Sequence, residues 1–345
     1  MSRRAFAFLV GVVVISVLLT ATEFISLPYV VLYAGPAVNT LGASGGQPIV
    51  KVEGRQTYPV TGHLDLVTFY AYGGPGGRLN LLAALGEWLS PGHSVVPQGE
   101  YLSAGLTTAP DTDANAVPPS EVQNELTAAV LRQLRIPFRE TVVISQTVPG
   151  FPAASVLRAG DVLTAVDGRR VTSITAAGEQ IEDRAAGQPV TVTVDRHGVP
   201  RTFRLSTRPS QEGQPAIGVY LAGSFTFPFT VRVDTSSCPY GCDLMFAVAL
   251  LDKLAPLNLT GGAFVAGAGT LDDTGDIGPV FGINVLLAGL HGQGVSVFLT
   301  PAADCAQALR AAPPGLRLVK VSTLSGAVRA LEALRAGRRA PSCAG

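Results

Sequence analysis

The chain has 345 residues, of which 47% are hydrophobic and 14% are charged, with 25 basic and 25 acidic side chains. A chain of this length can form two or three domains with apolar cores of their own. Because neither sign of charge dominates, the composition argues against nucleic acid or another acidic polymer as a partner.

The N-terminus predicts a membrane anchor at residues 1–25. Arg3 and Arg4 precede an uncharged, mostly apolar run from Ala5 to Thr22. Eighteen helical residues span roughly 27 Å, close to the hydrocarbon thickness of a bilayer. The two arginines orient the N-terminus toward the cytoplasm, so the bulk of the chain is predicted to be extracytoplasmic on a single-pass membrane protein. A cleaved signal peptide is the alternative, although Thr20-Ala21-Thr22 does not supply the usual small-residue cleavage site.

The cysteines form an even set: Cys238, Cys242, Cys305 and Cys343. In an exported protein such a set predicts disulfides. Three pairings are possible, and we favour Cys238–Cys242 with Cys305–Cys343, the second of which ties the tail at residues 338–345 to the body of the chain. Zinc is the alternative for four cysteines, but no Cys-x-x-Cys pair occurs, so no metal or other cofactor is predicted.

Residues 26–135 are predicted to form an extracytoplasmic N-terminal segment that packs with the C-terminal domain. Residues 49–72 alternate apolar and polar side chains in a way that is typical of strands. A short helix is predicted near residues 79–89, within a region rich in glycine, proline and aspartate, and a longer helix near residues 120–134.

Residues 136–208 resemble a bacterial PDZ domain. The residues that carry the resemblance are Pro152-Ala153, Gly160-Asp161 and Asp167-Gly168, followed by a helical segment and a hairpin that turns at His197-Gly198. Gly160 permits a tight turn, and the Asp161 carboxylate can accept backbone N–H bonds there. PDZ domains add an extended peptide to a sheet edge, so the resemblance implies peptide binding. The segment Ile136-Pro137-Phe138 is the candidate carboxylate-binding loop, and a β-rich spacer without a ligand is the alternative.

Residues 215–337 alternate strands with helices, which predicts an α/β arrangement. Leu244 to Leu251 is apolar on every side, as in a helix that is fully buried. Glycine-rich turns distinguish the rest of this region: Leu259-Thr260-Gly261-Gly262, Ala266 to Leu271, and Gly278-Pro279-Val280-Phe281-Gly282-Ile283.

These turns resemble the proteolytic domain of Lon-type peptidases, and the order of parts resembles the membrane-anchored, ATP-independent Lon-like peptidases that carry a PDZ domain. The fold class expected is therefore a mixed α/β multidomain chain with an N-terminal transmembrane helix, a PDZ-like domain and a Lon-type proteolytic domain. The resemblance also implies a possible homo- or hetero-oligomeric ring.

The resemblance implies a Ser-Lys dyad that this chain lacks. Alignment on Leu244-Met245-Phe246-Ala247 puts Gly241 at the nucleophile position, and alignment on Gly278 to Ile283 puts Leu286 at the base position. A serine hydroxyl needs a neighbouring base to accept its proton, and no lysine or arginine occurs between Lys253 and Arg310. No catalytic residue is therefore predicted to be intact.

Weak substitutes remain. Cys242 lies beside the nucleophile position and His291 lies beyond Leu286, so a Cys-His pair is conceivable. A disulfide at Cys242 and a polar role for His291 are the plainer interpretations, as are ordinary loop roles for Ser236 and Ser237. Three aspartates, Asp272, Asp273 and Asp276, fit a hairpin turn better than a metal loop.

The sequence therefore predicts a membrane-anchored Lon-like pseudo-peptidase that binds peptides or exported proteins without cleaving them. The alternative is an active, ATP-independent endopeptidase with a displaced nucleophile or base. Neither interpretation involves ATP, because the chain has no Gly-x-x-x-x-Gly-Lys-Ser/Thr loop.

Overall fold

The computed structural model describes residues 3–22, 25–74, 77, 79–90, 92–103, 119–210, 213–235, 238 and 240–344. It is a mixed α/β chain with two compact units. Unit 1 combines residues 1–135 with residues 229–345, and unit 2 is residues 136–228.

The described helices are, in chain order, α1 (Arg3–Thr22), α2 (Leu81–Trp88), α3 (Gln98–Ser103), α4 (Pro119–Gln133), α5 (Ile174–Glu182), α6 (Asp243–Leu254), α7 (Ile283–Ala288), α8 (Cys305–Ala311) and α9 (Leu324–Arg335). The strands are β1 (Tyr29–Asn39), β2 (Ala43–Ser44), β3 (Gln47–Pro48), β4 (Val50–Glu53), β5 (His63–Gly73), β6 (His93–Pro97), β7 (Arg139–Thr147), β8 (Val162–Val166), β9 (Arg169–Arg170), β10 (Pro189–Arg196), β11 (Val199–Ser206), β12 (Arg208–Pro209), β13 (Pro215–Ala216), β14 (Val219–Thr226), β15 (Thr230–Val233), β16 (Phe264–Gly267), β17 (Thr270–Leu271), β18 (Ile277–Gly278), β19 (Val297–Pro301) and β20 (Arg317–Val321).

Unit 1 is built on one sheet of strand order β20-β19-β16-β5-β1-β6. The four strands from β20 to β5 are parallel neighbours, whereas β1 is antiparallel to both β5 and β6. Strands from both ends of the chain therefore share one sheet, because the N-terminal strand β5 lies directly beside the C-terminal strand β16.

Helix α6 forms the centre of the core of unit 1. Residues 244–252 are all buried, and Phe246 has no exposed surface. The sequence predicted this burial because a helix that is apolar on every side has no face that prefers water. Parallel strands such as β19 need covering on both faces, and its five residues are all buried.

Helix α1 coincides with the apolar run of the N-terminus. In the part of the chain that the structure describes, no helix combines the length and the apolar character needed to cross a lipid bilayer. The membrane anchor at residues 1–25 stays a prediction.

Unit 2 contains a six-stranded antiparallel sheet, in which β11-β10-β8-β7-β14 lie side by side and β9 pairs with β8, with α5 beside it. Its core contains side chains from β7, β8, β10 and α5, among them Ile144, Val166, Ala177 and Val192. The hairpin of β10 and β11 turns at His197-Gly198, as predicted, and both turn residues have positive φ.

The boundary of unit 2 differs from the predicted one. Residues 215–226 were assigned to the C-terminal domain, but β14 pairs with β7 along eight registered positions, from Val219 opposite Thr147 to Thr226 opposite Arg139. The burial pattern of β14 alternates only weakly, and the strand pairing that places it in unit 2 is a long-range contact. Unit 2 accordingly extends to Pro228.

Both favoured disulfides are present: Cys238–Cys242 and Cys305–Cys343. The second one fastens the C-terminal tail to unit 1. The tail also pairs with β20, since the N–H of Lys320 donates to Pro341 O at 3.1 Å and that of Cys343 donates to Leu318 O at 3.3 Å.

Candidate functional site

A groove in unit 2 lies between α5 and β14. Its volume is about 440 Å³, within the range of small-molecule and peptide pockets. Helix α5 contributes Gly178, Ile181 and Glu182, and the other wall consists of residues 215–221. Val148 and Phe151 complete the apolar lining.

The loop before β14 has a backbone that requires glycine. Gly218 has φ +81°, and a Cβ at this position would lie 2.0 Å from Phe151 Cβ. Any other residue would therefore be strained and would collide with the wall of the groove. The close contact between Gly218 and Phe151, two lining residues of the groove, therefore depends on glycine at position 218.

The edge of β14 that faces the groove is free to accept a further strand. β7 is its only partner strand among the described residues. Gly218 O accepts from the N–H of Val148 at 2.9 Å, and Tyr220 O accepts from the hydroxyl of Ser145 at 3.1 Å, so both carbonyls point toward β7. Because hydrogen-bonding groups alternate along a strand, the N–H and C=O of Val219 point away from β7. Val219 also lines the groove.

The predicted loop Ile136-Pro137-Phe138 does not line the described groove. Phe138 instead packs against Phe225 and Phe227, with ring centroids 6.1 and 5.5 Å apart. Residue 139 pairs with Thr226, so these residues lie at the end of β14 opposite Gly218. The groove is lined instead by residues 215–221, and peptide binding by Ile136-Pro137-Phe138 stays a prediction. The sequence contains a signal for the Gly218 loop, since Ile217-Gly218-Val219 begins a run in which apolar and polar side chains alternate. This signal lay outside the PDZ domain boundary predicted from sequence.

Asp161 performs the role predicted for it. Its carboxylate accepts from the N–H of Arg158 at 2.9 Å and from the guanidinium of Arg196 at 2.6 and 2.7 Å. These bonds hold the pKa of Asp161 below its usual range, with the Arg196 hydrogen bonds as the largest cause. The turn that ends at Asp161 is thereby bonded to Arg196, the last residue of β10.

Asp167 closes the next turn in a similar way. It has φ +48°, and its carboxylate accepts from the N–H of Thr191 at 2.7 Å and from Arg184 at 2.8 Å. The hydrogen bond from Thr191 is the largest cause of its lowered pKa. The two aspartates that carry the PDZ resemblance are therefore both structural, and neither is among the lining residues of the groove.

The position predicted for a nucleophile in unit 1 has no room for one. Gly241 is buried, has φ +74°, and would place a Cβ 2.8 Å from a methyl group of Val280. Its neighbour Cys242 is 1% exposed and bonded to Cys238, so its sulfur is not a thiol. Ser236 and Ser237 lie outside the described residues.

The predicted base position is part of an apolar cluster. Leu286 is 4% exposed and packs in one cluster with Val280, Ala266 and Phe298. His291 is exposed beyond the end of α7, and its N–H donates to Ala288 O. Val280 contacts the Gly241 position and shares the Leu286 cluster, so the space between the two positions is apolar.

Two of the three lysine side chains are bonded to other groups, and the third is exposed. The Lys253 amine donates to Val50 O at 2.9 Å, and the Lys51 amine pairs with Glu53 at 2.6 Å. Lys320 is exposed on β20. Burial raises the pKa of three titratable groups near Gly241: that of Asp243 to about 6, and those of Tyr240 and of Asp304, which accepts from the N–H of Val280.

The three aspartates between β17 and β18 form a turn. Asp272 Oδ1 accepts from the N–H groups of residues 274, 275 and 276, and Asp273 pairs with Arg132 at 2.9 Å. In the described part of the chain, no group of three potential metal ligands is assembled.

Comparison with known families identifies the PDZ domain. A family model described as PDZ domain matches residues 120–207. No match was found among curated proteins. The chain thus contains a PDZ domain, a class of fold whose members bind peptides or proteins. The matched range ends before the loop at residues 215–219.

Several solved structures are similar to this part of the chain. The PDZ domain of an SdrC-like protein from Listeria monocytogenes is 26% identical, covering 23% of this chain and 85% of that chain, with a TM-score of 0.22. A corresponding domain from Listeria innocua is 24% identical, covering 24% and 92%, with a TM-score of 0.23. A protein from Geobacillus thermodenitrificans is 28% identical, covering 23% and 94%, with a TM-score of 0.22. All three TM-scores are below 0.5, so the assignment depends on the family match.

Proposed function

We propose that this chain is a Lon-like pseudo-peptidase that binds extended peptides through its PDZ domain and does not cleave them. The peptide would lie antiparallel to β14 in the groove beside α5. Peptide binding is supported by the outer edge of β14, which has no partner strand among the described residues. This edge lies next to an apolar groove that the Gly218 loop helps to line. Strand addition uses main-chain bonds for affinity and pockets for specificity.

The groove favours a peptide with an apolar end. Its lining includes Phe151, Ile181, Ile217 and Leu221, and Glu182 is the single charged residue among the described lining residues. A free carboxylate at the peptide's C-terminus would meet the N–H groups of the loop before β14, as in the terminal-carboxylate mode of recognition.

Binding is tested with the full chain and a fluorescent peptide that ends in a free-acid valine. Gly178→Leu fills the groove from α5, where an added Cβ meets only the tip of Glu182 at 4.0 Å, and we expect it to lower the affinity at least about tenfold, or 1.4 kcal/mol. Glu179→Leu is the matched control, because it lies on the same helix, is exposed and does not line this groove. Equal affinity of wild type and Gly178→Leu, or no binding to wild type, would contradict the proposal.

The lack of cleavage is supported by Gly241, Leu286 and the disulfide at Cys242. Residues of a catalytic dyad act as a unit, so loss of both removes the mechanism of proton transfer. We expect no turnover of an unfolded protein by the full chain under oxidising conditions. Cleavage that appears only with a reductant and is abolished by Cys242→Ala or His291→Ala would instead establish the alternative, an endopeptidase with a displaced dyad.

The proposal places the bulk of the chain outside the cytoplasm, tethered through residues 1–25. The support is the uncharged run from Ala5 to Thr22 behind two arginines, together with two disulfides, which persist in oxidising compartments. Flotation of the full chain with lipid vesicles in a density gradient tests the tether.

A further inference from the structure

Helix α2 exposes a continuous apolar face. Four apolar side chains of α2 and that of Leu89, the residue after it, are strongly exposed. We call these five residues the α2 face: Leu81 (44%), Leu82 (40%), Leu85 (49%), Trp88 (68%) and Leu89 (70%). They recur at the helical spacing that puts residues on one side of a helix. Only Ala84 of this helix is buried. Exposed apolar patches of this kind mark contact surfaces for proteins or membranes.

The α2 face carries no charge. Glu87 is the one charged residue between Leu79 and Ser90, and it is turned away from the face because His93 and Tyr72 bond to it. The hydrogen bond from Tyr72 is the largest cause of its lowered pKa. The outward surface of α2 therefore offers apolar contacts only, which favours lipid over a charged or strongly hydrated partner.

The start of α2 is joined by a hydrogen bond to the chain that follows α1. The N–H of Ile25 donates to Thr22 O, at the last residue of α1, and the N–H of Leu27 donates to Leu79 O at 2.8 Å. Leu27 also packs against Leu79 and Ala84. Five residues of chain reach at most roughly 18 Å, so Leu27, which is bonded to Leu79 just before α2, cannot lie farther than this from the end of α1.

An exposed aromatic side chain with a polar end contacts α2. Tyr72 is 38% exposed and is joined to α2 through its hydrogen bond to Glu87, and Tyr70, two residues earlier on the same strand, is 50% exposed. Tyrosine and tryptophan are enriched where a protein meets the headgroup layer, because they combine an apolar ring with a polar group.

From these observations we propose that the α2 face docks on a lipid bilayer, with Trp88 at the level of the headgroups. The inference rests on the proposed tether, since α1 brings α2 to the membrane. The occupant is a lipid surface and not a second copy of the chain, because Leu27, two residues past the predicted anchor, is hydrogen-bonded to Leu79, two residues before α2 begins. Docking at a second point would fix the orientation of unit 1 on the membrane.

The chain contains a single tryptophan, so its fluorescence reports on Trp88 alone. The experiment uses the full chain in phosphatidylcholine vesicles, with and without bromine on the acyl chains. We expect a blue-shifted emission that brominated lipid quenches and that aqueous acrylamide barely reaches. The variant with Leu85→Ser and Leu89→Ser should lose most of the quenching by bromine. Leu309→Ser is the matched control, since Leu309 is 46% exposed on α8, and it should retain the quenching.

Failure of the docking and failure of the tether give different results. A chain that floats with the vesicles while acrylamide quenches Trp88 and bromine does not would overturn the docking and leave the tether intact. Shielding of Trp88 from both quenchers would mean that protein covers the α2 face, which also overturns the docking. A chain that does not float at all would refute both the tether and the docking that depends on it.

Discussion

Asp243→Asn is expected to stabilise the protein at neutral pH. Asp243 is the first residue of α6, a helix packed on all sides, and it follows the buried Gly241 and Cys242. Burial raises the pKa of Asp243 from 3.8 to about 6, against a hydrogen bond from the backbone of Leu271 that lowers it. At pH 7 the folded protein therefore holds an ionised carboxylate in a place that favours the neutral acid.

The magnitude follows from the shift in pKa. A shift from 3.8 to about 6 corresponds to about 3 kcal/mol, since one pKa unit is about 1.4 kcal/mol. Because the folded state binds this proton more tightly than the unfolded state, the free energy of unfolding falls as the pH rises from about 4 to about 6, and it levels off above that range. Asparagine keeps an acceptor for Leu271 and carries no charge, so we expect a gain of up to about 3 kcal/mol at pH 7.5 and little gain at pH 4.

The assay is thermal unfolding of the full chain at both pH values. A gain of 2 to 3 kcal/mol corresponds to an increase in Tm of roughly 4–12 °C for a unit of this size. Asp276→Asn, at an exposed position of the hairpin between β17 and β18, is the control and should change Tm little at either pH. If Asp243→Asn gave the same small change at both pH values, the buried-charge argument would be wrong.

The pKa of Glu125 offers a second measurement of the effect of Asp243→Asn. Burial, as the largest cause, together with the negative charges of Glu121, Asp273 and Asp243, raises the pKa of Glu125 to about 7. Removal of the Asp243 charge should therefore lower the pKa of Glu125, which a titration followed by carboxyl-sensitive NMR would detect.

Two further predictions concern the disulfides and the nucleophile position. Replacement of Cys305 and Cys343 by serine should lower the free energy of unfolding by up to about 4 kcal/mol, and replacement of Cys238 and Cys242 should lower it by about 2 kcal/mol. The difference arises because the two disulfides close loops of 38 and 4 residues. Denaturation in urea compares the two variants, and the reverse order would contradict the loop-entropy reasoning. Gly241→Ser should restore no peptidase activity and should destabilise the chain by roughly 1–3 kcal/mol. The cause is that residue 241 has φ +74° and that its Cβ would press on Val280. A stable Gly241→Ser protein that cleaves a peptide would show that this position has room for a nucleophile.

Local sequence signals located the elements of the structure well where one periodicity dominated. The buried helix α6 was predicted because a run that is apolar on every side is stable only without water contact. The longer helix predicted near residues 120–134 is α4, Pro119–Gln133. The Asp272 turn was likewise predicted from short-range hydrogen bonding of aspartate.

The groove was missed because it depends on a long-range strand pairing. Nothing in residues 219–226 indicates that they pair with residues 139–147, about 80 positions earlier in the chain, so residues 215–226, with the Gly218 loop, were assigned to the C-terminal domain. The Gly218 loop that lines the groove and the predicted loop at Ile136 lie at opposite ends of the same pair of strands. Strand register is decided by packing and pairing across the sheet, and local residue preferences do not encode it.

The chemical inventory could be read from the sequence: no lysine lies between Lys253 and Arg310, where the resemblance expects the base, the cysteines are even in number, and the turns of unit 2 resemble those of a PDZ domain. Which of these groups meet depends on the fold. A disulfide joins Cys242 to Cys238, Val280 lies against the Gly241 position and in the same cluster as Leu286, and β14 lies at the edge of its sheet beside α5. The physical reason is that composition and spacing limit the available chemistry, whereas burial and proximity arise from contacts between residues that are distant in the chain.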